Sequence, residues 1–125
     1  MKLKVYNKDN AASTSRTSAV TFRFYAKGVL GLSKGLRQQL NLTPGDGIEV
    51  AQDEDEPTDW YIKKSKDGIV TRLAAKSDPD GALLCNTAKV SHALEDSLQV
   101  EKGVMLVGKE PNEDGWYPIF TSSLK

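Results

Sequence analysis

A mixed fold, mostly β with short helices and made from two copies of one unit, is the architecture that the 125-residue sequence predicts. Three observations carry the prediction. Val20-Thr21-Phe22-Arg23-Phe24-Tyr25 alternates strictly, with Val20, Phe22 and Phe24 on one face, the period of a half-buried strand. Leu36, Leu40, Leu42 and Gly45 recur as Leu94, Leu98, Val100 and Gly103 at a constant offset of 58 residues. Two acidic turns, 53–59 and 110–115, each lead into a Trp-Tyr pair, Trp60-Tyr61 and Trp116-Tyr117. A unit of about fifty residues buries too little apolar surface to stand alone. The copies, repeat 1 over about 20–64 and repeat 2 over about 69–122, are therefore expected to share one core in a single domain, 1–125.

Each element of the unit has a local reason. Lys2–Tyr6 reads as a short edge strand with Leu3 and Val5 on one face, and the small polar residues 7–18 as a flexible arm, so that 1–19 stand outside the repeat. After the first strand, Ala26-Lys27-Gly28 makes a tight turn in which Gly28 is free to take positive φ, and Val29–Leu32 returns. Ser33 caps a helix over Lys34–Leu40, whose Leu36 and Leu40 share the buried face. Asn41 tolerates the left-handed conformation that ends it. Thr43-Pro44-Gly45-Asp46 places proline and glycine where a type II turn needs them. Strands over Gly47–Val50 and Trp60–Lys64 complete the unit.

The second pass is less regular. Ile69–Ala75 reads as one strand, Lys76–Gly81 as a turn and Ala82–Cys85 as the return. Asn86 or Thr87 caps a helix with Val90, Leu94 and Leu98 in line, and Leu94 and Leu98 are expected to be buried. Val100-Glu101-Lys102-Gly103 takes the place of Leu42-Thr43-Pro44-Gly45, and strands follow at Val104–Val107 and Trp116–Phe120.

Composition narrows the function. Lys2-Leu3-Lys4 has no apolar stretch behind it, as a secretory signal requires, so a cytoplasmic location is expected, and no run is apolar enough for a membrane partner. The lone Cys85 cannot form an internal disulfide or a zinc cluster and reads as a small buried hydrophobe. His92 has no second histidine, and no nucleophile elbow, phosphate loop or acid–base pair is present. The acidic run Asp53–Asp59 lacks the ligand spacing and central glycine of a calcium loop. These features point to a non-enzymatic protein with neither metal nor cofactor. The net charge is zero, but residues 1–45 hold eight bases and one acid, and the other eighty hold nine bases and sixteen acids. Such asymmetry hints at a polyanion-binding surface on the basic half.

Leu32-Ser33-Lys34-Gly35-Leu36-Arg37 and Leu42-Thr43-Pro44-Gly45-Asp46-Gly47-Ile48-Glu49-Val50 resemble the AbrB-like swapped-hairpin domains, in which a glycine turn and a short K-E-[IL]-R helix precede L-K-P-G-D and a strand. The likeness covers about 45 residues of the first copy and the second copy in outline. It departs at Val29, where many members have a base, at Ser33, often proline, and at Gln38, often arginine. The resemblance implies a duplicated swapped-hairpin β-barrel in which the two copies form a pseudo-dimer within one chain. It also implies a DNA-binding transcription regulator or antitoxin-like protein, with duplex DNA as partner and the homo-oligomers common in the family.

The candidate DNA-binding residues are Arg23 on the first strand, Lys27 in its turn, and Lys34 and Arg37 on the helix. Lys8 and Arg16 on the arm join them, with Arg72 and Lys76 as second-copy counterparts. Bases on strands and loops contact phosphates, and Arg37, a planar fork, is suited to reading guanine. The alternative is a module that pairs with a protein partner through its acidic second copy and its tryptophans.

Overall fold

The computed structural model describes residues 19–25 and 28–125; the edge strand, the arm, Lys8, Arg16 and Lys27 lie outside them. The described residues form nine strands and two short helices. The strands are β1 (Thr21–Tyr25), β2 (Val29–Leu32), β3 (Gly47–Gln52), β4 (Trp60–Lys64), β5 (Ile69–Val70), β6 (Arg72–Leu73), β7 (Leu83–Asn86), β8 (Gly103–Val107) and β9 (Tyr117–Phe120). Helix α1 spans Lys34–Leu40 and α2 spans Ala88–Leu98, and a 3-10 turn covers Thr121–Ser123. No helix is long and apolar enough to cross a membrane.

The strands make one antiparallel sheet in the order β5-β3-β4-β9-β8-β1-β2-β7-β6. The strands at its two ends, β5 and β6, are separated in sequence by Thr71 alone, so the segment 69–73 nearly closes the sheet into a barrel. Within the first half β1 pairs with β2 and β3 with β4; within the second, β6 pairs with β7 and β8 with β9. The remaining ladders all cross between halves: β1–β8, β3–β5, β2–β7 and β4–β9. Neither half has its ladders satisfied without the other.

Inward residues of both halves meet in one core. Phe22, Phe24, Leu30, Leu32, Leu36, Ile48 and Ile62 from the first, and Leu83, Cys85, Leu94 and Met105 from the second, are essentially inaccessible. Burying such a side chain fully contributes roughly 1.5–3 kcal/mol. Burial also pushes the Cys85 thiol up to about 11, so it stays protonated and unreactive at neutral pH.

The local chemistry of the first half holds closely. The Ser33 hydroxyl accepts from Leu36 N and Thr21 N and donates to the Ala19 carbonyl, tying the helix start to β1. Asn41 ends α1 at φ 54°, and Gly45 sits at φ 99° in a turn closed by Asp46 N to Thr43 O at 2.9 Å. The Asp46 carboxylate accepts from the Thr43 N–H and hydroxyl and lies 3.6 Å from Lys64 Nζ.

In the second half three expectations are corrected. Residues 69–75 are not one strand: pairing switches from β3 to β7 at Thr71 and ends at Leu73. The cause lies in the Pro-Gly turn, where Asp46 O accepts from both the N–H and the hydroxyl of Thr71, and Gly45 N donates to Thr71 O. Gly103 does not repeat Gly45; it opens β8, as Gly47 opens β3, and has no positive φ. Leu98 is only partly buried. Helix α2 has eleven residues against seven in α1, so counted from the caps, Ser33 and Thr87, Leu94 stands where Leu40 does and Leu98 lies one turn beyond. Thr87, not Asn86, is that cap.

Candidate nucleic-acid interface

Residues directly opposite one another in a sheet point to the same face. The registers place Val104, Arg23, Gly31, Leu84 and Arg72 in a single row running across β8, β1, β2, β7 and β6. Phe22 and Phe24, on either side of Arg23, are fully buried, so the row is on the outside of the barrel. Arg23 and Arg72 are both exposed. Three strand spacings separate them, roughly 14 Å along the sheet. Each half thus supplies one arginine to the same outer face, with the cross-half pair β2–β7 between them.

Lys34 lines the same face, in the groove over β1 and β2. As the first residue of α1 it sits at the positive end of the helix, where a cation is disfavoured, so helix stability does not explain it. Among the described residues the one ion pair within 4.0 Å is Lys64–Asp46. Arg23, Lys34 and Arg72 are therefore free of carboxylate partners there, although Arg72 donates to Asn86 Oδ1 at 3.2 Å. Cations on an outer face, without carboxylate partners among the described residues, are what phosphate contacts use.

Arg37 is placed differently from the sequence expectation. Its Nε donates to Leu42 O at 3.1 Å, and Nη1 donates to both Pro79 O and Gly81 O at 2.9 Å. One of its five donors closes on the chain just after α1 and two fasten α1 to the 79–81 loop, so in this half-buried position Arg37 clamps that loop to the helix. Lys76 lies exposed in the turn after β6, with Asp78 and Asp80 close in sequence.

Both tryptophans are committed to the fold. Trp60 is buried and donates from Nε1 to Ser97 Oγ, which in turn donates to Pro57 O. The half-buried Trp116 receives Lys63 Nζ at 4.4 Å from its ring centroid, a cation–π contact. Among the described residues no three His, Cys, Asp or Glu side chains gather to hold a metal. The Val104–Arg72 row is the feature that sequence reasoning missed; only the strand registers bring together arginines 49 residues apart. The chain matches no family model, no curated protein and no solved structure.

Proposed function

We propose that this protein is a non-enzymatic, duplex DNA-binding regulator of the swapped-hairpin kind, its two halves forming an intrachain pseudo-dimer, with the outer face of β1, β2, β7 and β6 as its DNA surface. The observation that carries the reading is the cross-strand row in which Arg23 and Arg72, one from each half, flank β2 and β7 without carboxylate partners among the described residues. The ladders support the pseudo-dimer: exchanging the halves turns β1–β2 into β6–β7, β3–β4 into β8–β9 and β1–β8 into β5–β3, and leaves β2–β7 and β4–β9 as they are. Lys34 adds a third cation, and the exposed Lys76 follows β6 in the next turn. Arg37 contributes indirectly, by holding the loop between β6 and β7.

The test is fluorescence anisotropy with a labelled random duplex at low ionic strength, comparing wild type with the Arg23→Glu/Arg72→Glu double variant. Binding by the wild type, weakened at least about tenfold in the variant and equally for unrelated sequences, supports the reading, since phosphate contacts carry no base information. Absence of duplex binding by the wild type rejects it. The second reading, a protein-interaction module on the same fold, draws on Leu106 and Phe120, which face each other across β8 and β9 and are each about half exposed.

A further inference from the structure

We propose that the groove on the outer face of β7, β2, β1 and β8 is a receptor for an extended acidic peptide carrying bulky apolar side chains. The groove has a volume of about 530 Å³. Gly31 forms its floor, Tyr25, Leu84 and Val104 its apolar walls, and Arg23 and Lys34 its cationic rim.

Gly31 is the clue. Glycine in the interior of a strand weakens it and marks a bulge, a bend or a close approach by another group. None of the local causes applies: Gly31 is in register with both Arg23 and Leu84, and its φ is not left-handed. A Cβ there would meet Arg23 Cβ at 3.5 Å, Leu84 Cδ2 at 3.7 Å and Tyr25 Cε2 at 3.9 Å, ordinary contact distances. The fold has room for a methyl group at this position, so packing does not require the glycine, and its lack of a side chain leaves the groove deeper.

Charge and polarity select the occupant. The walls are apolar and one is aromatic, suited to a Phe or Leu side chain, while the rim cations lack carboxylate partners among the described residues and complement acidic neighbours on either side. The chain's own residues 1–18, four bases and one acid, do not supply that charge. Both β2 and β7 have strand partners on each side, so a peptide is held through side chains rather than as an added strand. The proposal does not depend on the DNA reading. Because Arg23 serves both, peptide and duplex compete.

The experiment measures anisotropy of a labelled Glu-Phe-Glu-Leu-Glu peptide without DNA, beside an all-Glu peptide, a Lys-Phe-Lys-Leu-Lys peptide and a ten-nucleotide oligo-dT. The acidic apolar peptide is expected to bind at least tenfold more tightly than either control peptide. Gly31→Leu, which builds up the groove beside Arg23 while leaving Arg23 and Lys34 in place, should weaken it at least tenfold, and Arg23→Gln/Lys34→Gln, at exposed positions that spare the core, should do the same. Equal binding of the all-Glu peptide overturns the proposal in favour of a charge-only surface. Unchanged binding in a folded variant overturns the site, and binding of oligo-dT alone overturns the class of ligand in favour of bases stacked on Tyr25.

Discussion

Strand β1 pairs along nearly its whole length with β2 on one side and β8 on the other, whereas residues 69–73 divide the same work, two residues serving β3 and two serving β7. In β1 the alternation of buried Phe22 and Phe24 with outward Arg23 fixes which face of the strand turns inward. In the sequence Ile69-Val70-Thr71-Arg72-Leu73 the inward position of Thr71 is polar, and its buried hydroxyl is satisfied by Asp46 O. A strand written in apolar alternation has its inward face set by its own side chains; one interrupted by a buried threonine borrows its geometry from a neighbouring turn. The turn concerned, Thr43–Asp46, belongs to the other half, so the regular half templates the irregular one.

The largest difference between halves is expected on the helices. Leu40→Ala removes a buried side chain and should cost roughly 2–5 kcal/mol, while Leu98→Ala, one turn past the equivalent position, should cost about 1 kcal/mol or less. Chemical denaturation of the two variants measures this, and equal losses would show that α2 packs by its C-terminal rather than its N-terminal turns. The caps should differ next. Ser33 makes three hydrogen bonds, and Ser33→Ala should cost about 1–2 kcal/mol; Thr87 makes one, to Val90 N at 3.4 Å, and Thr87→Ala should cost about 0.5 kcal/mol. Thr71→Val keeps the shape and removes one donor to Asp46 O. It should cost about 1 kcal/mol, because Thr71 N still donates to that oxygen.

The smallest effect is one of pH. The Thr43 N–H and hydroxyl, with Lys64 beyond them, hold the Asp46 carboxyl below its ordinary value of 3.8. A folded-state pKa below the unfolded one gives stabilisation that is fully present above the ordinary value and lost as pH falls through the folded value. The gap in thermal midpoint between wild type and Asp46→Asn should therefore be constant near neutrality and close in acid. A gap that persists unchanged in acid would assign it to the turn rather than to the charge.

Much of the first half was legible because its signals are local. The bounds of β2, α1 and β4, the Ser33 cap and the Pro44-Gly45 turn all depend on residues within a few positions of one another. The break at Thr71 was not legible, since the partner that causes it is 25 residues away and the alternation around it is weak. Extending the 58-residue offset to Gly103 misplaced that glycine because α2 gains a turn and the following link shortens. Arg37 looked like a base reader, and its carbonyl partners at Pro79 and Gly81 become visible only when the loop between β6 and β7 is folded against α1. The pairing of Arg23 with Arg72 on one face required three strand registers at once.

Whether the two halves build one DNA surface is tested most directly by the salt dependence of duplex binding in the two single variants. A phosphate contact contributes about −0.9 to the slope of log K against log salt. If both arginines contact phosphate, Arg23→Gln and Arg72→Gln should each flatten the slope by about one unit, and the double variant by about two. A slope that changes in one variant only, or in neither, would contradict a shared surface.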